Sequence, residues 1–559
     1  MRRCVSLLAN SLIFLSTLWA GIGFFLNLRN FRNIQGKKFR YLYEKNRGTV
    51  FMKDFRVMGY INPLELPVTD WGDYERYITQ ILSNEQNVLT KEKVLILEPT
   101  SGTSSHTKYI PYTRGLEKEF KRAIKPWLLG LYLTRPSLLL LNQYWSISPP
   151  AHTDNELSHS VPVGFEQDSQ YLGGRLSRVM DQIMTVPAKV KDITGYEDWA
   201  RATIFFLVGD RHLGLISVWH PSFLTILLEN IRANFSDIVS DIEKGMITCG
   251  GSGIFAESRP GGTASEYLPE LNPNPGRASE LQRIDPSKED FFLRIWPRLK
   301  VISCWADDPE ETSLLELRKI FPSVWIQPKG LIATEGIISF PFGKTSGLPA
   351  YRSHLLEFID LRNGELKFLC ELELHREYEP VISTSGGLYR YRMNDVVKVT
   401  GFYRRKFPLL QFLYKRDYVS DVRGEKVSLQ QVREIVEQVK IQWPAIRFFM
   451  MSPVVKGNKA FYCCYIDYPE DSGILPDELA GLIDHSLRKN FHYNNARQIK
   501  QLSGPEVFLL EKDPVEDIVN HIESTGIKRG DIKLLPLSRY TIWPQILKGR
   551  FISQCNTKG

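Results

Sequence analysis

Short apolar runs alternate along this chain with stretches in which apolar residues return every third or fourth position. Four runs read as buried strands: KVLILEP (93–99), ATIFFLV (202–208), RLKVISCW (298–305) and VWIQPKGLIAT (324–334). FRYLYEKNRGTVFMKDF (39–55) reads as a helix and a turn, and DWGDYERYITQIL (70–82) as an amphipathic helix capped by Asp70. After residue 108 the pattern passes through a proline turn and becomes helical to about Leu133. This alternation predicts α/β layers, a large multi-sheet N-terminal domain. The Pro-, Gly- and Ser-rich stretch 258–290 reads as a loop or short-helix insertion, because strand patterns resume beyond it.

A boundary falls at KRDYVSDVRGEK (415–426), where charges and glycine follow the strand-like PLLQFLY. Beyond it SLQQVREIVEQV, IRFFMMSPVV, AFYCCYIDY and ELAGLIDHSLRKNF give helix, strand, strand, helix, a small α+β domain. The expected divisions are an apolar segment at 1–38, a main domain at 39–414, a hinge at 415–427 and a small domain at 428–559.

The apolar segment changes the picture at the N-terminus. From Val5 to Leu28 there is no charge, a length sufficient to span a bilayer as a helix. Arg2 and Arg3 precede it, and Arg29, Arg32, Lys37, Lys38 and Arg40 follow, which favours a cytoplasmic body if the segment spans. Ser6, Asn10, Ser11, Ser16, Thr17 and Asn27 dilute its hydrophobicity. A span, a helix lying on a membrane and a helix packed on the protein all stay open.

Composition then narrows the class. With 559 residues, 43% of them apolar and 24% charged, the chain is a folded protein of two or more domains. A net charge of +8 without a polybasic tail suits anionic small molecules and argues against nucleic acid. Seven scattered cysteines without a CxxC pair, and histidines without HExxH spacing, favour a reducing, cytoplasmic setting and disfavour structural zinc. His152 and His159 sit in a polar loop and read as exposed or capping residues.

Four stretches carry candidate chemistry. LEPTSGTSSHTK (97–108) offers backbone N–H groups, hydroxyls and Lys108 to one anion, without the GxxxxGK[ST] spacing of a P-loop. In IQPKGLIATEGIISFPFG (326–343), Thr334 and Glu335 stand where an apolar strand ends, and a carboxylate there suits Mg2+ or is an exposed turn residue. In TSGGLYRYRMNDVVKVTGF (384–402), Asp395 can accept from two ribose hydroxyls and tyrosine can face a base. Strand alternation there sets Arg390 and Arg392 opposite Tyr391, to bind phosphate or to pair with surface carboxylates. In GIKRGDIKLLPLSRY (526–540), Lys533 on an apolar strand is either a mobile point charge or a snorkelling edge lysine.

These stretches, with ISVWHPSFL, WPRLKVISCWAD and VSDVRGEK, occur in an order that resembles the Gretchen Hagen auxin-responsive family of acyl acid amido synthetases, especially its bacterial members. The likeness runs from about Phe39 to the C-terminal region. It implies an adenylate-forming enzyme using ATP and Mg2+ to activate a carboxylic acid, then passing the acyl group to an amine, usually an amino acid. By position, Ser101, Gly102, Thr103 and Ser104 resemble the phosphate loop, and Thr334 and Glu335 the phosphate and metal motif. Tyr391 and Asp395 fall in the nucleotide motif, Lys415 in the hinge grip and Lys533 at the C-terminal lysine, so the implied catalytic set is Thr103, Thr334, Glu335 and Lys533. The chain departs from the family at Asn394, where glycine is usual, and at Lys415, where arginine is usual; it also lacks a second glycine in the phosphate loop. Asparagine tolerates unusual backbone angles, so the turn at 394 can survive. A coenzyme A ligase and a catalytically silent small-molecule binder are the rival readings.

Overall fold

The apolar leader folds into one helix, α1 (Arg2–Leu26), and one of its faces is built into the protein core. Asn10, Ile13 and Thr17 are each 0% exposed. Asn10 Nδ2 donates to the carbonyls of Leu139 (3.3 Å) and Leu141 (3.0 Å). Its Oδ1 accepts from the Tyr132 hydroxyl (2.7 Å) and Gln143 Nε2 (2.9 Å). Farther along, Phe24 packs with Phe340 and Tyr351 at ring-centroid distances of 5.2 and 4.9 Å. By length and composition α1 could cross a membrane. A side chain bonded four times to the neighbouring chain instead makes its inner face part of the fold.

The computed structural model describes residues 2–57, 66–100, 108–146, 174–193, 196–247, 271–307, 312–416, 418–456, 459–469, 475–498, 500–525, 529 and 532–552. They fall into two units, Met1–Leu413 with Lys528–Asp531, and Tyr414–Ile527 with Ile532–Gly559.

In the first unit α1 leads into α2 (Phe31–Asn46), α3 (Val50–Val57) and α4 (Glu75–Leu82). Asp70 does cap, but it caps a 3-10 turn at Trp71–Asp73 ahead of α4: its Oδ1 accepts from Gly72 N at 2.9 Å. Next come β1 (Ile96–Thr100) and β2 (Lys108–Tyr112), paired antiparallel with Leu97 opposite Pro111. The stretch expected as a proline turn is thus a strand, tolerated because the sheet has two strands and both are edges. Helix α5 (Arg114–Thr134) follows, its first turn capped by Thr113.

A four-stranded parallel sheet is made of β3 (Asn142–Trp145), β4 (Leu213–Ser217), β5 (Val301–Cys304) and β6 (Trp325–Pro328), in that order. ATIFFLV, expected as a strand, lies instead within a helix, Tyr196–Gly209. Its Ala202, Thr203, Leu207 and Val208 are all buried, and a continuous apolar run suits a wholly enclosed helix as well as a strand. Beyond the insertion's helix Pro275–Leu281 and the sheet, β7 (Ser339–Phe342) and β8 (Thr345–Pro349) form a hairpin. An antiparallel sheet then takes β9 (Leu355–Asp360), β10 (Leu366–Phe368), β11 (Glu377–Ser383), β12 (Tyr391–Arg392), β13 (Asp395–Tyr403) and β14 (Phe407–Lys415).

In the second unit, β15 (Val419–Ser420) pairs with β16 (Val427–Ser428), so most of the stretch expected as a hinge is a hairpin. Glu425 holds its turn, accepting from Val422 N (3.0 Å), Arg423 N (2.7 Å) and the Tyr462 hydroxyl (2.7 Å). The helix Leu429–Gln442 follows a Ser428–Gln431 capping box. It packs with a sheet of β17 (Phe448–Lys456), β18 (Lys459–Asp467), β19 (Glu506–Leu510) and β20 (Gly549–Phe551).

Asn10→Leu keeps the size of the side chain but strands the buried Leu141 carbonyl, the part-buried Leu139 carbonyl and two donors. Denaturant unfolding of this variant is expected to show a loss of about 2–4 kcal/mol. An unchanged midpoint would mean that α1 is not part of the folding unit.

Candidate active site

Residues 101–107, which include Ser101, Gly102, Thr103 and Ser104, lie outside the described residues. The hairpin that carries them is described, and its far end is tied to the second candidate motif. The Tyr112 hydroxyl donates to the Thr334 carbonyl at 2.8 Å. Thr334 and Glu335 form the tip of a two-residue turn in which Ala333 and Gly336 exchange backbone hydrogen bonds of 3.0 and 3.1 Å. Glu335 is only 8% exposed. Among the described residues its carboxylate has no hydrogen-bond or salt-bridge partner.

The third motif packs against the same hairpin. A Cβ at Gly386 would stand 2.5 Å from the Pro111 carbonyl, so only glycine permits this approach of the 384–387 turn to β2. Gly387, at φ +107°, completes the turn. Arg390 has φ +48°, which breaks the expected strand alternation and leaves only Tyr391–Arg392 as strand. Both arginines meet buried carboxylates rather than surface ones. Arg390 grips Glu357 with two hydrogen bonds, 3.2 and 2.8 Å, and Arg392 Nη2 donates to Glu379 at 3.1 Å. Tyr391 is buried, its ring edge-on to Tyr74 at 5.7 Å. Asn394 takes φ +58°, the left-handed turn that asparagine tolerates, and delivers Asp395 to the start of β13. Strand β2, the Thr-Glu turn and the Asp395 segment are thereby gathered in one unit.

Behind them lies a node that motif reading missed. Glu119, on α5 and 2% exposed, forms a 2.7 Å salt bridge with Lys38 and accepts from His354 Nδ1 at 3.0 Å. It also accepts from Ser385, through Oγ at 2.6 Å and the backbone N at 3.0 Å. Burial alone would raise the Glu119 pKa, but Lys38 and His354 bring it down to about 2. Burial holds His354 below its ordinary value, and since a carboxylate only accepts, Nδ1 carries the proton. His354 Nε2 then points at Gly336: a Cβ there would sit 3.0 Å away. The helical spacing of Leu116, Glu119, Ala123 and Trp127 places Glu119 on the inner face of α5, the one sequence signal that singles it out.

A second unread feature is Lys329, just beyond β6 and buried. Its ammonium lies over the rings of Trp219 (4.5 Å), Trp127 (5.3 Å) and Trp145 (5.7 Å) and donates to Ser217 Oγ at 2.8 Å. Trp145 and Ser217 end β3 and β4, so this aromatic cluster lines the carboxyl edge of the parallel sheet. Ligands of open α/β sheets bind outside that edge.

Lys415 ends β14 and Lys533 is exposed; both belong to the second unit. Lys533 lies in an irregular stretch, not on the strand expected for it. His152 and His159 lie outside the described residues.

A multi-sheet α/β body that ties a Thr-Glu turn and a glycine-rich turn before an Asp-led strand to one β-hairpin has the architecture of an adenylate-forming enzyme. Residues 24–323 match the GH3 family N-terminal domain and residues 347–415 the GH3 family central domain. The chain belongs to the GH3 family. It is 22% identical to indole-3-acetic acid-amido synthetase GH3.10 of Arabidopsis thaliana, over 75% of this chain and 76% of that protein. It is 24% identical to jasmonoyl–L-amino acid synthetase JAR4 of Nicotiana attenuata, over 88% and 89%. The fold matches a solved GH3.15 acyl acid amido synthetase in complex with 2,4-DB at TM-score 0.75 and 17% identity, covering 94% of this chain and 95% of that one.

The Glu119 node sets an acid limb of stability. Its folded pKa is depressed, so the unfolded chain binds the proton first and stability falls as pH drops from about 4.5 to about 2. Glu119→Gln removes that contribution and leaves Lys38 buried without its counter-charge. At neutral pH its expected cost is on the order of 3 kcal/mol, with a flatter acid limb in pH-dependent unfolding. A parent and variant with the same acid limb would remove Glu119 from this role.

Proposed function

We propose that this enzyme joins a carboxylic acid to the amine of an amino acid. ATP and the acid give an acyl-adenylate and pyrophosphate; the amine then attacks the acyl carbonyl, releasing AMP and forming the amide. The names of the GH3 relatives, indole-3-acetic acid-amido and jasmonoyl-amino acid synthetases, support this class of reaction. The observation that carries it is Glu335, a buried carboxylate without a hydrogen-bond or salt-bridge partner among the described residues, on a turn bonded to the β1–β2 hairpin.

Such a carboxylate fits Mg2+, a hard cation that takes one or two carboxylates together with substrate phosphates. Glu335 would hold the ion, whose charge offsets that of the phosphates. Ser101, Gly102, Thr103 and Ser104 bind phosphate through backbone N–H groups and hydroxyls, and Thr334 adds a hydroxyl. Asp395 accepts from the ribose hydroxyls, and Tyr391 shapes the nucleotide wall. Lys415 contributes to the nucleotide grip, and Lys533 supplies positive charge during adenylation. The aromatic edge around Lys329 receives the acid. The reaction takes place in the cytoplasm.

ATP–pyrophosphate exchange across a panel of acids tests the first half reaction, and product masses with mixed amino acids and coenzyme A identify the acceptor. A thioester without amide would make the protein a coenzyme A ligase, and ATP binding without exchange would make it a silent binder. Glu335→Gln is expected to lower exchange about a hundredfold with little change in stability. Normal exchange at low Mg2+ in that variant removes the metal role. Lys533→Ala is expected to slow adenylate formation about a hundredfold while leaving amide formation from supplied acyl-adenylate near the parent rate. Equal loss in both steps would refute the stage-specific role.

A further inference from the structure

Helix α1 has two apolar faces, and the core takes only one. On its outer side Leu8, Leu12, Leu15, Trp19, Ile22 and Leu26 are all exposed. Trp19 is 79%, Leu26 77% and Leu8 66% exposed, values that belong to side chains standing free of the fold. Their spacing alternates four and three residues, which keeps them in one stripe over about five turns, about 27 Å of helix. Scattered apolar residues on a surface need no explanation, but a continuous stripe marks an interaction site.

Charge identifies the partner. No residue from Cys4 to Leu26 is charged, and no Asp or Glu occurs before Glu44. Immediately beyond the stripe Arg29, Arg32, Lys37 and Arg40 are exposed. An apolar stripe followed by exposed cations, with Arg32 also donating to Cys370 Sγ at 3.3 Å, suits a lipid surface with anionic headgroups. A second copy of the chain fits less well, because the stripes paired with each other bring these cations no carboxylate, none occurring before Glu44. A bilayer span fits poorly too, since the inner face keeps Asn10 bonded four times and seats Gly21 against Leu129. The family match begins only at residue 24, so the stripe lies almost wholly outside it.

We propose that α1 docks the enzyme side-on onto an anionic membrane. Its outer stripe enters the boundary between headgroups and acyl chains, and Arg29, Arg32, Lys37 and Arg40 meet the lipid phosphates. The docking stands independently of the amide-forming reading, and it is measured as binding rather than turnover.

Flotation of the full-length protein with vesicles provides the test, comparing phosphatidylcholine alone with an equal mixture of phosphatidylcholine and phosphatidylglycerol. The parent is expected to float with the mixed vesicles, and high salt is expected to weaken that binding. Leu12→Glu/Trp19→Glu alters only exposed side chains and is expected to lower binding at least about tenfold with an unchanged unfolding midpoint. Arg29→Glu/Arg32→Glu is expected to lose the preference for anionic vesicles. Should the glutamate variant unfold, Leu12→Ser/Trp19→Ser asks the same question more gently. No flotation of the parent, or equal flotation of a folded stripe variant, overturns the proposal. A parent that sediments as a dimer and does not float, with a monomeric stripe variant, assigns the stripe to a second copy. Resistance of the membrane-bound protein to alkaline carbonate extraction assigns a span instead.

Discussion

A single buried carboxylate, Glu119, fixes the geometry from which the rest of the candidate site follows. Unpaired, a charge in that position would cost several kcal/mol. It persists because Lys38, His354 and Ser385 converge on it from α2, from the corner before β9 and from the glycine-rich turn after β11. Satisfying one anion therefore requires three distant segments to arrive together. Two of them adjoin candidate motifs: Ser385 opens the turn seated on β2, and His354 lies against Gly336 of the Thr-Glu turn. The N-terminal segment belongs to the same construction, because Lys38 stands on α2, the helix into which α1 leads.

The legible parts of the fold were those dictated locally. KVLILEP, RLKVISCW, IRFFMMSPVV and AFYCCYIDY have strand character from bounded, β-branched or aromatic runs, and each contains a strand. ATIFFLV misled because an enclosed helix and an enclosed strand are apolar on every side. The Arg390 region misled because a left-handed residue cancels strand alternation, and that angle is imposed by Glu357, Leu66 and Thr69 from elsewhere in the chain. At 415–427, Asp421, Arg423, Gly424 and Lys426 are exposed as their charge and glycine suggest, and among the described charged residues there only Glu425 is buried, where it accepts from the backbone N–H groups of Val422 and Arg423.

The site divides in the same way. Thr334, Glu335 and Asp395 could be named because each stands at a strand boundary within an unusual local string. Glu119 and His354 are separated by 235 positions, and no string joins them. Lys329 was in plain view inside a quoted motif, but its meaning depends on tryptophans contributed by α5 and by the ends of two other strands. Lysine is ordinary at a strand end. It becomes chemically informative only when three indoles surround it and its charge is withdrawn from water.

The pairing of the arginines constrains how the proposed site meets its nucleotide. Arg390 and Arg392 lie beside Asp395 in sequence and invite assignment to phosphate, yet Glu357 and Glu379 already neutralise them. Such pairs brace β12 against β9 and β11 but add no net positive charge to the site. Glu335 and Asp395 add negative charge. Bringing ATP and a carboxylate together therefore demands cations other than these two arginines, and Lys329, buried at the edge of the parallel sheet, is one that the first unit holds. This electrostatic deficit is the physical reason that the proposed reading needs Mg2+ at Glu335 and cannot rest on Arg390 and Arg392.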